Sequence, residues 1–220
     1  MTRAWIFDLD DTLYLERDYV RSGFWAVDRW ANLTLGISGV FNVAWDLFIS
    51  GIRGTTISSA FQAVGRPLTT DETTMVVNVY RNHAPDIHLC TDATELLGRL
   101  SSWGERIGVI TDGPAVSQRA KLRALGIENR GFVTAITDDH GPAWVKPNTP
   151  AFEYVQSTIG IEPDHCTYVA DNPHKDFAAP RMLGWETVRI VRPLGLHSSI
   201  DSRPGEVDRT VASLAVIAQK

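Results

Sequence analysis

The sequence predicts an α/β fold: a parallel sheet with helices on both faces, interrupted after its first strand by a helical insert. Three observations carry this expectation. Short apolar runs end abruptly in polar residues, at Ala4-Trp5-Ile6-Phe7 before Asp8-Leu9-Asp10-Asp11-Thr12, at residues 107–110 before Thr111-Asp112-Gly113, and at residues 167–170 before Asp171-Asn172. Segments of helical period alternate with these runs and are joined to them by short links. Between about residues 15 and 88 the alternation stops, and the chain becomes rich in Trp and Phe without a clear strand.

Taken in order, residues 4–7 read as a buried strand whose carboxyl end carries acids. The insert reads as amphipathic helices over residues 18–33, 40–49, 58–64 and 71–81, punctuated by Gly36, Gly39, Gly51, Gly54 and Gly65-Arg66-Pro67. Residues 92–100 follow as a helix, with Ala93, Leu96, Leu97 and Leu100 at helical spacing. A strand over 107–110 leads to a helix over 116–125, stopped by Gly126. Residues 132–136 read as a strand. The helix over 150–159 has Pro150 in its first turn and Gly160 past its end. A strand over 167–170, a helix over 174–183 and a strand over 187–191 complete the alternation. Residues 192–207, with Pro193, Gly195, Pro204 and Gly205, read as a surface loop before a last helix. The expected division is a core of residues 1–14 and 89–220 with an insert of 15–88. In open parallel sheets, ligands bind at the carboxyl ends of the strands, where the three polar strand ends fall.

The composition fits a globular protein able to bury a sizeable core: 220 residues, 44% hydrophobic and 21% charged. With 21 basic and 26 acidic residues the net charge is -5, which gives no electrostatic reason to expect nucleic acid or an anionic membrane as partner. Cys90 and Cys166 form no CxxC pair and suit a reducing compartment. The apolar start is too short for a signal peptide and no run is long enough to span a membrane, so a cytoplasmic location is expected. The six histidines (His83, His88, His140, His165, His174, His197) show no metal-ligand spacing.

The chemistry begins with Asp8 and Asp10. Residues two apart in extended backbone point to one side, so both carboxylates can face one site. One can attack an electrophile and hold a cation; the other can move a proton. Alone, the pair could equally be solvated loop acids or a helix-cap cluster. Thr111 adds a hydroxyl, and the turn through Asp112 and Gly113 adds backbone N–H groups that suit a phosphate. Lys146 precedes Pro147 and a helix. Asp171 and Asp176 lie in Asp171-Asn172-Pro173-His174-Lys175-Asp176. Read singly, each has a plainer explanation: Thr111 a cap, Lys146 a surface charge, Asp171 a helix cap.

Together, the order of carboxylate pair, Thr, Lys and carboxylate pair resembles the haloacid dehalogenase-like hydrolase superfamily. FDLDDT matches its first motif, VITDG the second, Lys146 the third and VADNPHKD the fourth. The resemblance implies a Rossmann-like core with an inserted α-helical cap. It implies Asp8 as nucleophile, forming an aspartyl-phosphate, and Asp10 as acid and then base. It implies Mg2+ bound by Asp8, the backbone carbonyl of Asp10, and Asp171, with Asp176 nearby. It implies Thr111, Asp112 and Lys146 around the phosphoryl oxygens. Two departures are present: Ala170 stands where Gly is usual, and Asp112 where Asn is common.

The expected activity is therefore a Mg2+-dependent phosphatase acting on a small phosphorylated metabolite such as a sugar or polyol phosphate, as monomer or homodimer. A phosphomutase shares the motifs. A haloacid dehalogenase lacks the second acid, because a carbon–halogen bond needs no such proton donor. A receiver-type phosphorylation switch is shorter and has no insert, and a binding or structural protein without turnover would make the acid pairs incidental. Tyr14, Arg21 and Arg53 are candidates from the insert or its hinge for contact with a polar substrate.

Overall fold

The computed structural model describes residues 2–217, which divide into two compact units: one runs to Arg17 and resumes at His88, the other is Asp18–Ile87. The elements, in chain order, are β1 (Ala4–Phe7), α1 (Glu16–Leu35), α2 (Val40–Ile49), α3 (Thr56–Ala63), α4 (Thr70–Asn82), α5 (Thr91–Ser102), β2 (Arg106–Thr111), α6 (Ala115–Ala124), β3 (Val133–Ile136), α7 (Pro150–Ile159), β4 (Cys166–Ala170), α8 (Ala178–Met182), β5 (Glu186–Ile190) and β6 (Arg209–Val211).

The first unit holds a six-stranded sheet of order β3-β2-β1-β4-β5-β6. All its strand pairs are parallel. β1 is central, which is why all four of its residues are apolar and buried. The sequence of strands reverses direction between β1 and β4. Phe7 pairs with Val169 there, and Asp8 N donates to Val169 O at 2.9 Å. A crevice opens outside the carboxyl ends at such a reversal. It is where Asp8 and Asp171 leave their strands.

The helices behave as their patterns dictate. α5 buries Ala93, Leu96, Leu97 and Leu100. α7 buries Ala151, Phe152 and Val155, starts on Pro150 and stops at Gly160 in the left-handed region. Gly108 on β2 lets α7 approach closely: a Cβ there would stand 2.7 Å from Val155 Cγ1. Phe152, Tyr168, Phe177 and Trp185 fill the adjoining core.

Two expectations are corrected in this unit. The helix expected over 174–183 shrinks to Ala178–Met182. Pro180 lacks an N–H and its ring excludes the carbonyl four residues back, so the helix cannot begin much earlier. The last helix expected after residue 207 is replaced by β6 and a single 3-10 turn, Leu214–Val216. Thr210 and Val211 pair with β5, and Asp92 Oδ2 takes Leu214 N at 2.8 Å, so tertiary partners displace the local helical preference. Any part of that helix over 218–220 lies outside the described residues. The 192–207 segment is not wholly surface: Arg192 is buried and donates twice to Thr12 O.

The second unit consists of helices, with no strand among its described residues. α1 buries Tyr19, Val20, Phe24, Val27 and Ala31, α2 buries Val40, Phe41, Ala44 and Phe48, and α3 adds Ala60 and Phe61. Asp28 accepts from Phe41 N at 3.0 Å, satisfying a donor in the first turn of α2. Thr69 and Glu72 form a reciprocal capping box on α4. The aromatic residues mainly pack against each other: Phe24 meets Phe48 edge-on, and Trp25 stacks on Phe41 at 3.9 Å. Tyr14, the candidate at the hinge, lies in the first unit, as the expected core of residues 1–14 has it. It is fully buried there, and Cys90 N donates to neighbouring Leu13 O at 2.9 Å.

Candidate active site

β1 delivers Asp8 into the crevice. The chain then turns through Asp11, which adopts a left-handed φ of 51° that Asp tolerates better than most residues. Its carboxylate secures the turn by accepting from Glu16 N at 2.9 Å and Leu196 N at 2.7 Å. The turn brings Tyr14 back beside Asp10.

Asp8 is one of four charged groups that converge. Lys146 Nζ lies 2.5 Å from Asp8 Oδ1 and 2.7 Å from Asp176 Oδ1. It also donates to Tyr168 Oη at 3.3 Å. Asp8, Asp171 and Asp176 have carboxylate oxygens within 4.8 Å of one another, all buried. Asp176 is held by Asn172 N at 3.0 Å. Asp171 has its backbone carbonyl fixed by Arg189 Nε at 3.1 Å.

The electrostatics express an excess of buried negative charge. Burial pushes the Asp8 carboxyl up to about 7; Lys146 opposes this, and Asp176 adds to it. Burial, then Asp8 and Asp176, push Asp171 up to about 10. Burial works against a charged Lys146, but Asp176 and Asp8 outweigh it and hold its ammonium well above the usual range. One lysine does not neutralise three carboxylates. An oxygen-only, anionic, buried donor set of this kind fits a hard divalent cation. It contains no histidine or cysteine, and among the described residues it is the one acid, histidine or cysteine cluster close enough to share an ion.

Asp10 stands apart from this cluster. Lys121 Nζ reaches both of its oxygens, at 2.7 and 2.9 Å, and Tyr14 Oη donates to Oδ1. Burial pushes the Asp10 carboxyl up, but the charge and hydrogen bonds of Lys121, with Tyr14, outweigh it and hold it below the usual carboxylate range.

Thr111, at the end of β2, donates to Gln118 Oε1 at 2.9 Å. Gln118 Nε2 in turn donates to Asp112 O at 3.0 Å. Gly113, with φ 127°, is required beside it: a Cβ would stand 2.6 Å from Gln118 Nε2. The Asp112 carboxylate accepts from Thr137 Oγ1 at 2.8 Å, Lys175 Nζ at 2.9 Å and Lys146 N at 3.3 Å. Burial raises its carboxyl, and Lys146, Lys175 and Thr137 together bring it below the usual range. The extra charge relative to Asn is thus met by Lys175.

Arg21 and Arg53 lie in the second unit. Arg21 is exposed on α1. Arg53 donates to Phe48 O at 2.5 Å and Ile52 O at 2.9 Å, and its guanidinium sits 3.9 Å over the Phe48 ring.

Lys121, Gln118 and Lys175 have no role legible from the motifs alone. Lys175 stood inside the fourth motif. Ser117, Gln118 and Lys121 form a buried polar face on α6, and their one signal is the three-residue spacing of Gln118 and Lys121 directly after a polar strand end.

The sequence profile described as haloacid dehalogenase-like hydrolase matches residues 5–190. The chain belongs to this family. Among relatives, it is 26% identical to the glyceraldehyde 3-phosphate phosphatase of Methanocaldococcus jannaschii, over 87% of this chain and 86% of that one. It is 27% identical to the phosphoglycolate phosphatase of Rhodospirillum rubrum, over 84% and 77% of the two chains. The fold matches a haloacid dehalogenase-like phosphatase structure from Thermococcus onnurineus with a TM-score of 0.62, at 24% identity over 97% of this chain and 94% of the other. Among the described residues of this family member, no helix is long and apolar enough to cross a membrane.

Proposed function

We propose that this haloacid dehalogenase-like hydrolase is a Mg2+-dependent phosphatase that cleaves monoesters of small phosphorylated metabolites through an aspartyl-phosphate on Asp8. One observation carries the reading: two carboxylates two residues apart lie in unlike settings. Asp8 is gripped by Lys146 beside Asp171 and Asp176, while Asp10 is gripped separately by Lys121 and Tyr14. Separate partners let two neighbouring carboxylates do different work, Asp8 as the nucleophile beside the acidic cluster and Asp10 as the proton carrier outside it. A dehalogenase has no use for the second acid. The resemblance to relatives named as phosphatases points the same way.

In this reading an Asp8 carboxylate oxygen attacks phosphorus, and the bond from phosphorus to the leaving oxygen breaks. Asp10 gives that oxygen its proton. Asp10 then takes a proton from water, whose oxygen attacks phosphorus and breaks the bond to Asp8, releasing phosphate. Lys146 keeps Asp8 oriented and offsets charge beside it, and Thr111 and the Asp112–Gly113 turn stand at the neighbouring strand end for phosphoryl oxygens. Asp8 and Asp171 side chains would hold Mg2+ with the Asp10 carbonyl, and Asp176 stands close enough to join or to support them. A bound Mg2+ supplies charge neutralisation of the phosphoryl oxygens. Asp18–Ile87 would serve as the cap that sets specificity, with a sugar or polyol phosphate as substrate, and Arg21 and Arg53 as its polar candidates. The enzyme would act in the cytoplasm.

The test is phosphate release from 4-nitrophenyl phosphate with and without Mg2+. Wild type should release it only with the cation, and Asp8→Asn should release none. Full activity in Asp8→Asn would overturn the assignment of the nucleophile.

A further inference from the structure

α6 has an unusual buried face. Ser117, Gln118 and Lys121 are each under 5% exposed, in a helix that a surface reading would leave solvated. Burying an ammonium is costly unless it is paired. Lys121 is paired with Asp10 through both carboxylate oxygens. Tyr14, fully buried, donates to the same Oδ1. Both donors therefore fall on Oδ1, whereas among the hydrogen bonds made by described residues Oδ2 receives only the 2.9 Å contact from Lys121. The carboxylate cannot rotate without breaking these bonds. Oδ2 keeps acceptor capacity, and Oδ1 is occupied.

We propose that Lys121 and Tyr14 are positioning residues for Asp10: they clamp Oδ1 and so assign Oδ2 as the oxygen that exchanges the proton. The inference rests on the phosphatase reading above. In the first step the proton on Asp10 Oδ2 passes to the leaving oxygen as its bond to phosphorus breaks and the Asp8–phosphorus bond forms. In the second, Oδ2 accepts a proton from water as the new oxygen–phosphorus bond forms and the Asp8–phosphorus bond breaks. Neither step needs a proton to leave Lys121 or Tyr14.

Positioned general acids matter most when the leaving group is a poor one. The experiment uses ring-substituted phenyl phosphates of graded leaving-group acidity, with the full-length protein and Mg2+. The parameter is kcat/KM, which covers the steps through departure of the leaving group and is blind to later hydrolysis of the intermediate. In Lys121→Met the loss should be about tenfold larger on unsubstituted phenyl phosphate than on 4-nitrophenyl phosphate. Tyr14→Phe, which keeps the ring and removes only the hydroxyl, should steepen the dependence in the same sense, and it carries the test should Lys121→Met not fold. Lys121→Arg should restore the wild-type slope. In an Asp10→Asn background Lys121→Met should add no further slope, since the residue acts through Asp10.

A loss equal across the series, or a slope still steepened by Lys121→Met in Asp10→Asn, overturns the inference while the phosphatase reading stands. A wild-type protein that releases no phosphate from any member overturns the phosphatase reading, and the inference with it.

Discussion

Lys146 shows how much one residue's meaning depends on what surrounds it. Its side chain is fully buried and its ammonium sits between Asp8 and Asp176. Removing one partner of a buried ion pair leaves uncompensated charge, which costs more than the pair contributes. Lys146→Met should therefore abolish phosphate release and destabilise the protein by about 3–5 kcal/mol in denaturant melts without added cation. Unchanged stability would mean the two carboxylates do not depend on Lys146 for compensation. Lys146 was legible in the sequence because its order relative to Asp8, Thr111 and Asp171 matched a known pattern. Lys121 was not. A lysine on a helix usually faces water, and only the folded chain decides that this face turns inward. Nor was the partner of Tyr14 legible: its position at the hinge suggested contact with a substrate, and the turn through Asp11 carries it back to Asp10.

At the scale of elements, the sheet depends on side chains that tie helix ends to loops. Asp92, in the first turn of α5, accepts from Arg192 Nη1 at 3.2 Å and Nη2 at 3.1 Å, from Ser213 Oγ at 2.9 Å and from Leu214 N at 2.8 Å. Arg192 also holds Thr12 O, next to the acidic turn. Burial raises the Asp92 carboxyl, but Arg192, Leu214 and Ser213 outweigh it and leave it below the usual range. A depressed carboxyl contributes stability above its unfolded value, near pH 4, and loses it as pH falls through the lower native value. Asp92→Asn should cost about 1–3 kcal/mol at neutral pH. The cost should shrink on acidification. A cost that grows towards acid would contradict this account. β1, β2, β4, α5 and α7 were legible because each has the period or the abrupt apolar run of its type. The shortened α8 and the strand β6 were not. Pro180 limits the first from within, and the second exists only because β5 offers a partner.

Across the whole molecule, the three clustered carboxylates make stability depend on both pH and cation. Without a divalent ion, Asp8 is raised to about 7 and Asp171 to about 10. The native state then keeps protons that the unfolded chain has released above about pH 4. Stability from these groups is greatest below that value and is lost as pH rises through 7. Asp10 and Asp112 are held low and act in the opposite sense, at the acid end, outside this window. In EDTA, Tm should therefore fall between pH 5 and pH 8. Saturating Mg2+ should raise Tm most at pH 8, because binding to the native state adds to its stability. Asp171→Asn should remove that response. A Tm indifferent to Mg2+ at pH 8 would count against a cation in this cluster.

The sequence by itself determined the parallel α/β plan and the helical character of the insert, and it singled out Asp8, Asp10, Thr111, Lys146 and Asp171 as candidates. Local period and strand-end chemistry are written in residues close together along the chain. Only the tertiary structure decided which partners hold the carboxylates. It set Lys146 between Asp8 and Asp176, and it gave Asp10 to Lys121 and Tyr14. Contacts between residues more than a hundred positions apart follow from strand order and burial, and neither is encoded in local spacing.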